Sequence, residues 1–352
     1  MQEIRRKNWA GQRLFVGLDL HKKNWVATVR SRDLHLKTFT VPSGEEAFWK
    51  TLNHQFPGAQ FIVAYEAGCF GYHIAEYINN NGGKAVIFPP HRIPTPPGVF
   101  VKTDKIDSRK LASELSKGLD GIYQPDRISL YHRSVIRKRS QLVQRKVEIQ
   151  NQIKSDLLFY GIRIDTLGRY WSAEFLRRLW ELEFVAPGYT RTFRIILREY
   201  EEIVRNIKET TDYIKEMAQS ELYKEQVCLL KSIPGVGDLS AMTILLEIFD
   251  INRFASAEKF ASYVGLVPSE YSSGEKIRKG SLSGMGNKTL RSLLIEVSWV
   301  VIRKDPVLFE KYNRVKKGKT GAEAIVSVAN SLARRIHYVL TNRSPYCLGV
   351  VA

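Results

Sequence analysis

Three short runs of apolar and β-branched residues follow one another within the first 41 residues of the chain. They are RLFVGLDL (13–20), WVATVR (25–30) and LHLKTFTV (34–41), and a turn signal separates the second from the third. A helical pattern (44–56), a strand (60–67), a second helix (72–81) and a further strand (84–90) come next. Strands that form a meander and then alternate with helices predict an α/β layer around a mixed sheet.

Beyond a proline-rich loop at 91–100, the pattern is almost entirely helical up to about residue 222. Amphipathic stretches at 141–158 and 201–219 predict two long helices that pair in a coiled hairpin or in a dimer seam. The PGVG turn within 229–248 has the form of a helix-hairpin-helix, with amide groups free to meet a phosphate. The sequence therefore predicts an α/β domain at 1–125, a helical hairpin at 126–226 and a mainly helical domain at 227–352.

The charge balance restricts the partners of the chain. Lysine and arginine number 54 against 36 acidic residues, and the net charge of +18 favours a polyanion. No apolar run approaches the ~20 residues of a membrane span, so we expect nucleic acid and no membrane. The three cysteines lie far apart, which excludes a disulfide framework or a cysteine zinc site and suits a reducing cytoplasm.

Two groups of basic residues are candidates for nucleic-acid contacts. The first lies between residues 127 and 146, where seven residues are basic and none is acidic. The second lies in a glycine-rich stretch that would let a phosphodiester approach the backbone. The alternative for each group is a solvated helix face or an ordinary basic loop. The candidates are Arg137, Lys138 and Arg139 in the first group, and Lys276, Arg278, Lys279, Lys288 and Arg291 in the second.

Four acidic residues suggest a metal site. Asp19 ends the first strand, on the face opposite Leu18, and an acid in an apolar strand is costly to bury unless it is paired or binds metal. Glu66 ends another apolar strand, while Asp104 and Asp107 share one face of a helix that they open. Oxygen ligands from two strand ends and one helix match the needs of two Mg²⁺ ions in phosphodiester chemistry.

Each acid also has an ordinary structural explanation. Asp104 and Asp107 would stabilise the dipole of their helix, and the strand-end acids would serve as turn or cap residues. The order of the four acids in a strongly basic chain favours the metal site. His21 follows the first strand as a lone histidine, so we expect a surface residue there and not a ligand.

These segments resemble a known family. VGLDLHKKNW, YEAGCFG and KTDKIDSRKLA are similar to the DEDD motif of Piv-type insertion-sequence transposases and DNA invertases. These are bridge-RNA-guided recombinases with a RuvC-like (RNase H-like) N-terminal domain. The resemblance implies that Asp19, Glu66, Asp104 and Asp107 are catalytic and hold Mg²⁺ in a two-metal site.

A second segment resembles the serine-containing transposase domain of the same family. The family marker is an aromatic residue, one variable position, serine and glycine, and here it matches 271–274. The resemblance therefore implies that Ser273 is the nucleophile. Its neighbour Ser272 is a rival that the sequence does not separate from it.

The resemblance implies an RNA-guided DNA recombinase or transposase of a mobile element, whose Ser273 attacks the DNA backbone. Its partners would be target and donor DNA, a structured noncoding guide (bridge) RNA, and further copies of the chain in a dimer or tetramer. It would act in the prokaryotic cytoplasm, on the nucleoid when bound.

Three other functions compete with this one. A RuvC-like structure-specific endonuclease would use the same acids with metal-activated water and no covalent serine step. A sugar-kinase-like ATPase would need glycine-rich phosphate loops in two halves, which the sequence lacks. A non-catalytic RNA-binding protein would leave the four acids unexplained.

Overall fold

The computed structural model describes residues 9–93, 104–164, 170–270, 279–282 and 284–349 of the 352-residue chain. The chain forms two compact units, Met1–Gln124 and Pro125–Ala352. Within the described residues, no helix is both long enough and apolar enough to cross a membrane. The division into three regions at 1–125, 126–226 and 227–352 stays a prediction.

A five-stranded mixed sheet forms the centre of the first unit. Its strands lie in the order β3-β2-β1-β4-β5, with β1–β2 and β2–β3 antiparallel and β1–β4 and β4–β5 parallel. This arrangement confirms the predicted α/β layer. The elements are β1 (Arg13–Leu20), β2 (Asn24–Arg30), β3 (His35–Pro42), α1 (Glu45–Gln55), β4 (Gln60–Glu66), α2 (His73–Asn80), β5 (Lys84–Phe88) and α3 (Asp104–Ser116).

The central strand β1 presents different partners on its two faces, as strand alternation requires. Val16 and Leu18 are fully buried in a core that includes Phe48 of α1 and Ile78 of α2. On the other face, Phe15 packs against a smaller core that includes residues of β4, β5 and α3. Asp19 occupies the position two residues beyond Gly17, so it lies on the α3 side of the sheet.

A glycine lets α3 lie directly against the backbone of β1. A Cβ atom at Gly17 would stand 2.0 Å from the carbonyl oxygen of Ser108 and 2.4 Å from the amide nitrogen of Ala112. The buried Ser108 hydroxyl also lies 2.9 Å from the Thr28 hydroxyl of β2. These contacts fix α3 on the sheet and with it the acids of its first turn.

We expect Gly17→Ala to destabilise the protein by about 2 kcal/mol or more, because overpacking costs about 1–3 kcal/mol and here the new methyl group would meet backbone atoms. Urea denaturation followed by circular dichroism measures the effect. Gly188→Ala is the matched control, since a Cβ atom at this helical glycine has nothing within 4 Å. Equal midpoints for the two variants would contradict the packing role of Gly17.

The second unit is mainly helical, as predicted. Its longest helices, α4 and α6, have 33 residues each and pair within the chain, which matches the hairpin alternative. The elements are α4 (Arg127–Phe159), α5 (Ala173–Glu181), α6 (Pro187–Gln219), α7 (Lys224–Lys231), α8 (Asp238–Ile248), α9 (Ala257–Val264), β6 (Pro268–Glu270), β7 (Lys279–Leu282), α10 (Lys288–Val301), α11 (Pro306–Lys316) and α12 (Gly321–Thr341).

Some boundaries in the second unit differ from the sequence expectation. Helix α4 begins 14 residues before the predicted amphipathic stretch at 141, because Asp126 caps it by accepting a hydrogen bond from the Ser129 amide. The predicted glycine-rich loop contains the antiparallel pair β6–β7, whose strands of three and four residues are too short to show alternation. The predicted turn between α7 and α8 is present, with Gly235 at a φ of 87°.

Candidate active site

Asp19 and Glu66 lie side by side at one end of the sheet. The parallel register of β1 and β4 pairs Leu18 with Tyr65, so the next residues along the two strands are Asp19 and Glu66. The Asp19 side chain is 21% exposed, whereas Glu66 is largely exposed. Because the carboxyl ends of parallel strands meet at one edge of a sheet, the two acids predicted at separate strand ends, Asp19 and Glu66, are neighbours in the folded chain.

The first turn of α3 brings a third acid, Asp104, to this edge. His21 connects the two elements, because its Nε2 atom lies 3.2 Å from Asp19 Oδ2 and 3.4 Å from Asp104 Oδ1. One ligand atom from each of these three side chains lies within 4.8 Å of the others. We refer to Asp19, His21 and Asp104 as the acidic cluster.

The electrostatics of the acidic cluster oppose further negative charge. Burial raises the pKa of Asp19 above its usual value, and the nearby carboxylates of Asp104 and Asp107 raise it further, while His21 acts in the opposite direction. Asp107 therefore acts on Asp19 although it is not a member of the cluster. A cation bound at this point would relieve the repulsion among the three carboxylates.

The donor set suits a hard divalent cation. Carboxylate oxygens are the ligands that Mg²⁺ prefers, and an imidazole nitrogen beside them is compatible with Mn²⁺ as well. Of the four acids predicted from sequence, Asp19 and Asp104 are in the acidic cluster, whereas Glu66 and Asp107 lie outside it. The residues present fit one metal ion, and a two-metal site stays a prediction.

His21 is the residue that sequence reasoning set aside. The available signal was its spacing, since a residue two positions beyond Asp19 along an extended chain points to the same side. A cavity of about 650 Å³ adjoins the cluster, and its wall includes His21, Lys23, Asp104 and Lys105. Two lysines beside the acids provide a place where a phosphate group of a substrate can approach them.

The predicted basic residues of α4 have mixed surroundings. Arg137 donates two hydrogen bonds of 2.8 Å to the carboxylate of Glu247, a buried residue of α8 that also accepts one from Asn287. Arg139 donates to the Thr211 hydroxyl of α6 at 2.7 Å, whereas Lys138 is exposed. Two of the three residues thus make contacts that hold helices together, and their binding of nucleic acid stays a prediction.

The second basic group is described only in part. Lys288 is the exposed first residue of α10, and the half-buried Arg291 guanidinium is directed at the backbone oxygens of Gly265 and Met285 at 3.4–3.5 Å. Lys279 begins β7. The predicted residues Lys276, Arg278, Ser272 and Ser273 lie outside the described residues.

Comparisons with known proteins agree with this geometry. Residues 16–162 match a transposase family of the DEDD type, and residues 227–313 match the family described as "Transposase IS116/IS110/IS902 family". The first match includes all four predicted acids, and the second includes the segment with Ser273.

Individual relatives support the same family. A putative transposase, y4qE, of Sinorhizobium fredii is 30% identical in a 299-residue alignment that covers 81% of this chain and 71% of the relative. The transposase for insertion sequence element IS1111A of Coxiella burnetii is 27% identical over 70% of this chain and 69% of its own. The pilin gene-inverting protein of Moraxella bovis is 23% identical over 94% of this chain and 97% of its own. The chain therefore belongs to the IS116/IS110/IS902 family of transposases, and it is a DNA transposase.

Proposed function

We propose that this transposase is an RNA-guided DNA recombinase of a mobile element, with a metal-binding acidic site and a nucleophilic serine. The observation that carries the metal part is the convergence of Asp19, His21 and Asp104 within 4.8 Å, beside the end of β4 that bears Glu66. The serine and the guide RNA rest on the resemblance of the sequence to the bridge-RNA-guided recombinases.

The acids would act by holding the metal ion at the phosphodiester that reacts. Asp19 and Asp104 place one oxygen each near the His21 Nε2 atom, at 3.2 and 3.4 Å. The charge of Asp107 also acts on Asp19, and Glu66 ends the neighbouring strand. Bound Mg²⁺ would supply charge stabilisation for the attacking and leaving oxygens of the phosphodiester.

Ser273 would supply the covalent step. Its Oγ atom forms a bond to phosphorus, the bond from phosphorus to one DNA oxygen breaks, and the proton of the serine hydroxyl ends on that DNA oxygen, which leaves as a free hydroxyl. The energy of the broken ester is kept in the protein–DNA linkage, so rejoining to a new strand needs no further source of energy. The resemblance to the family implies an oligomer whose active sites combine the acids of one subunit with the serine of another.

The partners follow from the charge of the chain and from the proposed reaction. A net charge of +18 suits two DNA substrates and a structured guide RNA, which would choose the sites by base pairing. Because the substrates would be element and chromosomal DNA, we place the enzyme in the prokaryotic cytoplasm. The resemblance to the family implies that it acts there as a dimer or tetramer. The Moraxella bovis relative is named for inverting a pilin gene.

A strand-exchange assay tests the proposal. Purified protein is mixed with two differently labelled duplexes from the element junction and the target, with and without Mg²⁺ and the noncoding RNA of the element. We expect joined products only when both are present. Cleavage with free ends and without any requirement for the RNA would support the RuvC-like endonuclease instead.

We expect His21→Asn to weaken metal binding about 10- to 100-fold, the usual cost of losing a residue that orients metal ligands. The readout is the Mg²⁺ or Mn²⁺ concentration that gives half-maximal thermal stabilisation of the protein. His73→Asn is the matched control, because His73 contacts a single carboxylate, that of Glu45, at the same 3.2 Å. Equal metal dependence of the two variants would remove His21 from the site.

A further inference from the structure

Helices α11 and α12 enclose a basic cavity that the proposed reaction does not use. Its volume is about 560 Å³, and its wall carries four cationic side chains, Lys311, Arg314, Arg334 and Arg335, against the single carboxylate of Glu310. The polar side chains of Asn330 and Ser331 also line it. We call this the α11–α12 cavity.

Lys311 is more buried than Arg314, and neither side chain forms an ion pair among the described residues. Lys311 is half-buried, and its ammonium group donates to the Ser331 hydroxyl. Burial lowers the pKa of Lys311, and the positive charges of Arg334, Arg314 and Arg335 lower it further. The cavity therefore concentrates positive charge that its own wall does not balance.

Nearby acids are already engaged. One oxygen of Asp305 accepts the amides of Val307 and Leu308 at the start of α11, and the other accepts hydrogen bonds from Arg335 and Tyr346. Arg335 is therefore held in place at the back of the cavity.

At the rim of the cavity, Arg334 pairs with Glu258 at 3.0 Å, and both side chains are largely exposed. An exposed pair of this kind contributes little to stability, so Arg334 is easily redirected to another anion.

We propose that the α11–α12 cavity binds a phosphate group of a nucleic-acid backbone. This inference rests on the proposed function only in that nucleic acid is the substrate. An ammonium, guanidinium groups, a hydroxyl and an amide around one space offer many donors, and the anionic oxygens of a phosphodiester accept charge-assisted hydrogen bonds from such groups. The shared chemistry of DNA and RNA backbones satisfies this site.

The surroundings favour a repeating polyanion over a single carboxylate from a protein. Positive charge continues beyond the cavity along the end of α11 and the following turn, with Lys316, Lys317 and Lys319 all exposed. Successive phosphates of one strand would meet successive cations there. A protein partner with a single carboxylate would leave most of these cations unpaired.

The test measures the salt dependence of binding of the full-length chain to a 20-base-pair duplex DNA and to a single-stranded RNA. The cavity variant is Lys311→Gln with Arg314→Gln, and glutamine keeps a donor for Ser331. The control variant is Arg205→Gln with Lys208→Gln on the exposed face of α6, which removes the same charge. The single variant Arg314→Gln is measured as well. Because Arg314 is exposed, we expect this variant to fold normally, so a reduced slope in it reports the loss of a phosphate contact.

We expect the cavity variant to reduce the slope of log Kd against log salt by roughly one unit more than the control does, for each phosphate that it no longer binds. The polymer whose slope changes identifies the source as DNA or RNA. Equal slopes for cavity and control variants on both polymers would overturn the proposal. If the slope of the cavity variant is unchanged but its sedimentation differs from that of the wild type, the cavity binds a carboxylate of a second copy of the chain. That result would also overturn the proposal. If the wild type binds neither polymer, the proposed function fails together with this inference.

Discussion

We expect Asp19→Asn to slow DNA cleavage and strand exchange by about a thousandfold or more. Asparagine keeps the shape of the side chain but removes the charge that would hold the metal. A metal ion contributes several kcal/mol to transition-state charge stabilisation, and each 1.36 kcal/mol is worth a factor of ten in rate. Among the described residues Asp19 is the most buried acid of the acidic cluster, so in the proposed site its loss would remove the innermost ligand of the metal.

The same substitution should leave the metal-free fold at least as stable as the wild type. Burial and the carboxylates of Asp104 and Asp107 already oppose the ionisation of Asp19, as its raised pKa reflects. A neutral side chain removes that repulsion, and the asparagine oxygen can still accept a hydrogen bond from His21. A loss of activity in this variant therefore reports on chemistry and not on unfolding.

The control for Asp19→Asn is Asp33→Asn, an exposed residue of the turn between β2 and β3. It removes the same charge from the same unit without touching the acidic cluster. Strand exchange is followed on labelled duplexes, and the thermal midpoint is measured with and without Mg²⁺, which stabilises whatever it binds. Strand exchange by Asp19→Asn at the wild-type rate would refute the metal site.

The sheet and its acidic edge follow from local sequence. Alternation in RLFVGLDL assigns Asp19 to the face opposite Leu18, and the parallel pairing of β1 with β4 then brings Glu66 beside it. The position of α3 does not follow in the same way. It depends on the backbone contact at Gly17, which no periodicity reveals, because glycine contributes no side chain to a pattern.

The role of His21 could not be predicted because its second partner is remote in sequence. A histidine two residues after Asp19 is an ordinary surface feature when it is considered alone. Asp104 comes 83 positions later, and the two meet only when α3 docks on the sheet.

In the basic run of α4, the charge pattern does not reveal that one of its residues has a partner inside the folded chain. Between residues 127 and 146 the sequence has no acid, so the run suggests an exposed cationic face. In the folded chain Arg137 meets Glu247, which lies 110 positions away in the apolar helix α8. A buried carboxylate needs such a partner. The single acid within the apolar run AMTILLEI was the available signal that one cation would be used internally.

We expect Ser273→Ala to abolish both the covalent protein–DNA adduct and strand exchange, while nucleic-acid binding persists. The hydroxyl of Ser273 is the proposed attacking group, and alanine offers no atom to replace it. Removing a nucleophilic serine costs about a millionfold in kcat in a well-studied protease. Water cannot substitute for the serine in exchange, because hydrolysis leaves free ends and discards the energy of the ester.

Ser272→Ala is the matched control for Ser273→Ala, with the same atom removed one position away. Side chains of successive residues point in different directions in helices and in strands, so a single serine of the pair can face the phosphorus. Denaturing gels of labelled DNA with Mg²⁺ and the guide RNA would show the adduct as a slowly migrating band. An adduct with Ser273→Ala but not with Ser272→Ala would transfer the role to Ser272. Cleavage by the wild type without any adduct would replace the covalent mechanism with metal-activated water, because free ends would then be the first products of the reaction.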